Sequence, residues 1–186
     1  MACMTAFDSD VYTERRSQAV ELVKQRGLGG LVIGTGAEFA YLTGSWTSSH
    51  ERLTALVIAP SGATVVAPVT DIQSLGLDGA ADVEVVGWRD GENPYQLVAD
   101  TLGDGTVGLG SSLTADHVFA LQALLPETEL ASEAVAELFM VKDAEEVAEL
   151  GSTCHASSNR TCELGLTAAT GEDYEHVLEI LERVSR

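Results

Sequence analysis

Residues 53–67 read LTALVIAPSGATVVA, and this stretch decides the fold class. Two apolar runs, Leu53 to Ala59 and Ala63 to Ala67, flank the turn Pro60-Ser61-Gly62. Short apolar runs on either side of a turn that contains proline and glycine are typical of a β-hairpin. The sequence therefore predicts two antiparallel strands at the start of a sheet.

Strand and helix signals alternate on both sides of this hairpin. Short apolar runs predict further strands at Leu31 to Ile33, Val83 to Trp88 and Thr106 to Leu109. Helical spacing and capping residues predict helices from Ser9 or Asp10 to Gly27, from Pro94 to Leu102, and from Ser111, Ser112 or Thr114 to Leu125. Such alternation predicts an α/β domain, with a sheet covered by helices, up to about Leu130.

The pattern changes after this point. Ser132 to Leu166 contains no proline and few β-branched residues, which predicts long helices, and a second helix is predicted over Gly171 to Val184. One face of that second helix carries Tyr174, Val177, Leu178, Leu181 and Val184. Because these helices need an apolar partner, we expect one domain over residues 1–140. Residues 141–186 are then the first helices of a second, truncated domain.

Composition excludes several classes of partner. The 186 residues include 29 acidic and 10 basic side chains, a formal net charge of −19, which repels phosphate backbones and anionic lipids. The longest apolar runs fall far short of the roughly 20 residues that span a bilayer, and the first ten residues lack the pattern of a signal peptide. We therefore expect a cytoplasmic protein that binds neither nucleic acid nor membrane.

One glycine-containing segment and one pair of acid and histidine each match only part of a ligand-binding motif. Gly34-Thr35-Gly36 follows a predicted strand, but Phe39 stands at the third glycine position and no helix is predicted there, so the segment is interpreted as a loop. Asp173 and His176 have the spacing of a di-iron helix, but the pairing occurs once where a di-iron bundle needs it twice. The sequence therefore predicts no nucleotide site and no metal site in this chain.

The loop Ser45 to Arg52, SWTSSHER, is the strongest candidate for a binding site. Trp46 can stack on an apolar ring, while His50 and Arg52 can hold a carboxylate. The alternative is that Trp46 packs and Arg52 pairs with nearby acids. The segment Trp88 to Tyr95 is a second candidate loop, although a turn before a helix that begins at Pro94 explains it as well.

The order of these segments resembles a known family. The elements that carry the likeness are Arg15-Arg16, the glycine-rich Leu28 to Ile33, Tyr41-Leu42-Thr43-Gly44, ERLTALVI at Glu51 to Ile58, Val66-Ala67-Pro68, and FMVKDAEEVAEL at Phe139 to Leu150. Together they resemble the N-terminal domain of the creatinase, prolidase and aminopeptidase P family of Xaa-Pro metallopeptidases. The resemblance implies a mixed β-sheet covered by helices, followed by the start of the catalytic pita-bread domain.

The resemblance also implies where the chemistry lies. In this family two Asp, one His and two Glu of the catalytic domain bind a pair of divalent metals. No position of this chain matches a ligand, so we expect no catalytic residue and no cofactor here, and a dinuclear divalent metal in the missing catalytic domain. The chain alone is then inactive.

The resemblance further implies a homodimer in which the N-terminal domain narrows the partner's active site. Trp46, His50 and Arg52 would then recognise the imino ring or carboxylate of a short proline-containing peptide in trans. Two alternatives stay open. One is a stand-alone, non-enzymatic binding or scaffold module of the same fold, and the other is the N-terminal part of a creatinase-type amidinohydrolase.

Overall fold

The computed structural model describes residues 7–49, 51–77, 80–140, 156–157, 167, 174–176, 178 and 181–183. The chain divides into two compact units, Met1–Val135 and Ala136–Arg186. The boundary of the two domains at residues 140 and 141 stays a prediction from the sequence.

Among the described residues of the first unit, six strands form one mixed sheet in the order β4-β3-β2-β1-β5-β6. The strands are β1 (Gly30–Gly34), β2 (Ala55–Ala59), β3 (Gly62–Pro68), β4 (Val83–Trp88), β5 (Val107–Leu109) and β6 (Thr128–Leu130). β2 and β3 form the predicted hairpin, and β1 pairs antiparallel with β2. The pairs β1–β5, β3–β4 and β5–β6 are parallel. The α/β fold with a mixed sheet is thus confirmed.

Helices cover both faces of the central strands. Val32 of β1 belongs to an apolar cluster with Val98 and Leu121, which lie on the third and fourth helices of the chain. The neighbours of Val32, Leu31 and Ile33, point to the opposite face because side chains alternate along a strand, and both are completely buried. Burial of each such side chain contributes about 1.5–3 kcal/mol. Because both faces of β1 are buried, its sequence is a continuous apolar run and does not alternate between apolar and polar residues.

The three helices predicted for the first unit are confirmed. They are α1 (Ser9–Arg26), α3 (Pro94–Thr101) and α4 (Ala115–Gln122). α1 ends at Gly27, whose φ of 64° places it in the left-handed region that favours glycine. α3 begins after Asn93, whose side chain accepts a hydrogen bond from the amide of Tyr95 at 3.1 Å.

One short helix contradicts the sequence analysis. α2 (Ala37–Thr43) follows β1, where a loop was predicted. Seven residues are too few to form a helix alone, but Phe39 and Leu42 are completely buried, and this packing stabilises the helix. The 3-10 helix Ile72–Leu75 and the short strand β6 were not predicted either.

The second unit corrects the predicted C-terminal helices. α5 (Ser132–Met140) is helical as expected, but β7 (Ala156–Ser157) pairs in parallel with β8 (Glu175–His176). These four positions were predicted to be helical, and that prediction is wrong, because strand pairing overrides a weak intrinsic preference. Glu175 is further held by the guanidinium of Arg183 at 2.7 and 2.8 Å.

Part of the predicted apolar face lies at helical positions in this unit. Leu178 and Leu181 are helical, and their side chains are exposed. Val177 and Val184 lie outside the described residues, as does Asp173 of the rejected metal pairing.

Candidate functional site

The loop between α2 and β2 has a fixed backbone. Thr35 Oγ1, in the loop after β1, donates to the carbonyl of Ser49 and accepts from its amide, both at 3.1 Å. The hydroxyl of Ser49 in turn donates to the carbonyl of Arg52. These bonds hold the loop next to the carboxyl end of β1. Side chains on it are therefore presented by a rigid backbone.

Trp46 is the most exposed aromatic side chain of this loop. Its exposed fraction is 66%, while the adjacent Ser45 is buried. The alternative in which Trp46 packs against the core is therefore wrong. An exposed indole on a fixed backbone offers an apolar face to a ligand.

Arg52 is held between an aromatic ring and a carboxylate. Its guanidinium carbon lies 4.9 Å from the ring centroid of Trp88, and Nη2 lies 2.5 Å from Oδ1 of Asp90. Trp88 is itself fixed, because its indole Nε1 donates to the carbonyl of Leu53 at 2.9 Å. The alternative in which Arg52 pairs with a nearby acid is thus what the structure contains.

The turn that carries Asp90 joins β4 to α3. The amide of Glu92 donates to the carbonyl of Arg89 at 3.0 Å, and the Glu92 carboxylate accepts from the amide of Arg89 at 2.6 Å. Gly91 has a φ of 95°, which only glycine adopts without strain. The shape of this turn is set without the side chain of Asp90.

The three predicted site residues have different outcomes. Trp46 and Arg52 lie on the same loop, His50 lies outside the described residues, and the roles of all three stay predictions. The sequence analysis named the segment Trp88 to Tyr95 separately and did not place Asp90 beside Arg52. The only signal for that contact was the turn at Asp90-Gly91, which does not reveal its partner.

Arg15 and Arg16, which contribute to the family resemblance, have structural roles. Arg15 lies 4.0 Å above the ring of Tyr41. Arg16 donates to both carboxylate oxygens of Asp82 and to the carbonyl of Leu42, each at 2.7 Å. The hydrogen bonds from Arg16 lower the pKa of Asp82 below its ordinary value. Although Arg16 lines a cleft of about 280 Å³, these bonds already use its guanidinium.

A second polar pair, which the sequence analysis missed, lies between α3 and α4. The hydroxyl of Tyr95 lies 3.0 Å from Nδ1 of His117, and Nε2 of His117 is buried with no partner among the described residues. Burial lowers the pKa of His117 and raises that of Tyr95. Tyr95 packs against the apolar core and His117 is buried, and this tertiary packing explains why composition and spacing gave no signal.

The described residues do not fit a metal centre. Among them, no group of three or more His, Cys, Asp or Glu side chains is arranged to hold a metal ion. No helix in the described part of the chain has the length and apolar character needed to cross a bilayer.

Comparison with known proteins agrees with this architecture. The family model of the creatinase/prolidase N-terminal domain matches residues 15–141. The chain belongs to this family. The matched range contains the whole six-stranded sheet together with the loop of Trp46 and Arg52 and the turn of Asp90.

Curated relatives include dipeptidases. The chain is 38% identical over 147 residues to the probable dipeptidase PepE of Mycobacterium tuberculosis, a match that covers 76% of this chain and 39% of the relative. The chain therefore spans about two fifths of the length of the curated relatives it matches.

Solved structures show the same fold. The dipeptidase PepE of Mycobacterium ulcerans is 41% identical with a TM-score of 0.72, over 77% of this chain and 40% of that one. The N-terminal domain of an X-Pro dipeptidase from Streptococcus pyogenes is 20% identical with a TM-score of 0.53, over 63% of this chain and 98% of that domain. Most of this chain thus shares the fold of the N-terminal part of these dipeptidases.

Proposed function

We propose that this chain shapes the substrate site of a metal-dependent Xaa-Pro dipeptidase or aminopeptidase and is inactive by itself. The observation that carries the proposal is the loop of residues 45–52, where the exposed indole of Trp46 and the charged Arg52 project from a backbone fixed by Thr35 and Ser49. Rigid presentation matters because substrate-positioning groups act only when their geometry is held. The similarity to dipeptidases supplies the reaction class.

The chemistry of the loop suits a short peptide that ends in proline. The indole of Trp46 offers a flat apolar surface to the imino ring, and the guanidinium of Arg52 offers N–H donors to the terminal carboxylate. His50, which precedes this arginine in the loop, is proposed as a third contact. These groups would bind the substrate of the partner subunit in a homodimer, as the family resemblance implies.

The metal belongs elsewhere in this proposal. We place the dinuclear divalent centre on a catalytic domain outside this chain, because the family resemblance assigns the metal ligands to that domain. All bond-breaking steps are therefore assigned to that domain. The chain contributes binding, orientation and dimer contacts, in a protein that we place in the cytoplasm.

Steady-state kinetics of the complete polypeptide that carries this chain tests the proposal. With the dipeptide Ala-Pro and added Mn²⁺, Arg52→Ala should raise KM about tenfold or more, as expected for loss of hydrogen bonds to a charged group. Trp46→Ala should raise KM with a smaller change in kcat. Matched controls are Arg26→Ala and Phe119→Ala, which remove an exposed arginine and an exposed aromatic ring elsewhere.

Three outcomes would contradict the proposal. Wild-type kinetics in both loop variants would remove the loop from substrate binding. A monomer by sedimentation at catalytic concentrations would remove the action in trans. Metal-dependent hydrolysis of Ala-Pro by the purified 186-residue chain would show that the catalytic groups lie within it.

A further inference from the structure

Asp90 has little to hold it except Arg52. Its side chain is 88% exposed, and in the described part of the chain its carboxylate has one hydrogen-bond partner, Nη2 of Arg52. The turn around it is closed by hydrogen bonds between Arg89 and Glu92 and by the positive φ of Gly91. Release of the Asp90 carboxylate therefore requires no change of the backbone.

Arg52 keeps its position by other means. Its guanidinium lies over the ring of Trp88, and Trp88 is 7% exposed and fixed to the carbonyl of Leu53. A cation supported by an aromatic ring keeps its N–H edge free for in-plane hydrogen bonds. Asp90 uses one such donor. After Asp90 departs, the guanidinium would stay in place and could bind another carboxylate through two parallel hydrogen bonds.

The two partners of Arg52 thus differ in how firmly they are held. Trp88 belongs to the core, whereas Asp90 is an exposed carboxylate on a solvated turn. An exposed ion pair contributes little free energy, so a carboxylate that binds through two parallel hydrogen bonds can replace it.

We propose that Asp90 occupies the carboxylate site of Arg52 in the free protein and is displaced when the carboxylate of a peptide binds there. This inference rests on the proposed function, because it takes Arg52 as the group that receives the substrate. It adds that the site is self-inhibited by an internal carboxylate. Asp90 is therefore a competitor for Arg52 and does not position it.

The decisive variant is Asp90→Asn, which keeps the size of the side chain and removes its charge. Because the competing contact is an exposed ion pair, the KM for Ala-Pro should fall about two- to fivefold in the complete polypeptide, with kcat unchanged. The KM for the amide Ala-Pro-NH₂, which lacks the carboxylate, should not change. Asp104→Asn, an exposed acid in a different loop, is the control for the loss of one negative charge.

The direction in which Asp90→Asn changes KM separates competition for Arg52 from positioning of Arg52. The double variant Arg52→Ala/Asp90→Asn tests whether Asp90 acts through Arg52 at all. Competition predicts that it has the KM of Arg52→Ala alone, because Asp90 acts only through Arg52. If Asp90→Asn raises KM while Arg52→Ala also raises it, Asp90 positions Arg52, and this inference is overturned while the proposed function stands. If Arg52→Ala leaves KM unchanged, the proposed role of Arg52 fails first, and the inference fails with it.

A direct readout does not depend on turnover. In the 186-residue chain, the side-chain N–H signals of Arg52 should shift on titration with Ala-Pro, and saturation should require about two- to fivefold less peptide in Asp90→Asn. Equal titration curves for the two proteins would refute competition. Because Asp90 is exposed, the variant should fold as the wild type does, which thermal denaturation checks.

Discussion

Replacement of Arg16 by methionine should lower the free energy of unfolding of the first unit by about 3–5 kcal/mol. The side chain is 3% exposed, and it donates to both oxygens of Asp82 and to the carbonyl of Leu42 at 2.7 Å. Methionine fills similar space but loses four charge-assisted bonds, the fourth of which is the bond to Oγ1 of Thr13 at 3.1 Å. Each such bond is worth about 1.5–3 kcal/mol. The total loss is smaller than their sum, because Asp82 is 33% exposed and regains water.

Matched variants separate the ion pair from the loss of packing. Asp82→Asn should lower the free energy of unfolding by about 2–3 kcal/mol, because it leaves the buried guanidinium without its counter-charge but keeps an acceptor. The double variant should show a coupling energy above about 1 kcal/mol. Lys24→Met is the control: its ion pair with Glu21 is exposed and should be worth less than about 0.5 kcal/mol.

Urea unfolding followed by the fluorescence of Trp88, which is buried, measures these values. The pH dependence adds a second check. Arg16 holds the pKa of Asp82 below its ordinary value of 3.8, so the contribution is complete above that value and is lost as the pH falls through the folded-state pKa. The reasoning would be refuted if Arg16→Met lowers the free energy of unfolding by less than about 1 kcal/mol, or if the loss in the double variant equals the sum of the two single losses.

Two further perturbations test the packing around the site. Tyr95→Phe should lower the free energy of unfolding by about 1–3 kcal/mol, because it leaves Nδ1 of the buried His117 unpaired. An unchanged urea midpoint would show that water replaces the hydroxyl. Burial lowers the pKa of His117, so stability should decline as the pH falls below 6.5, and His117→Gln should abolish this decline. Gly44→Ala should lower the melting temperature more than Gly27→Ala does. Both glycines have positive φ, but only at Gly44 would the added Cβ lie 2.8 Å from Tyr12; equal losses would attribute the whole effect to φ.

Sequence reasoning found the elements whose signals are local. The hairpin β2–β3 was evident because apolar runs and turn residues are adjacent along the chain, and α3 because Pro94 marks its start. α2 was missed because a helix of seven residues depends on the burial of Phe39 and Leu42, which is tertiary packing. The strands β7 and β8 escaped because each has two residues and depends on a partner distant in sequence.

The candidate site was found in part for the same reason. Trp46 and Arg52 share one loop and were visible together, whereas Asp90 is 38 residues from Arg52. The topology explains the contact. β2 begins where β3 ends, and β4 runs parallel to β3 with Trp88 beside Pro68. Arg52, just before β2, and Asp90, just after β4, therefore meet at one end of the sheet.

The place of β1 in the sheet has a consequence for synthesis on the ribosome. β1 lies between β2 and β5 in the sheet. Residues 31–34 of β1 pair with β2, which is synthesised soon after β1, whereas residues 107–109 of β5 leave the ribosome much later. Until then one side of a fully apolar strand has unsatisfied backbone groups, a state open to mispairing and aggregation. We expect pulsed hydrogen exchange during refolding to protect the amides of β2 and β3 before those of β5; simultaneous protection would mean that the sheet closes in one step.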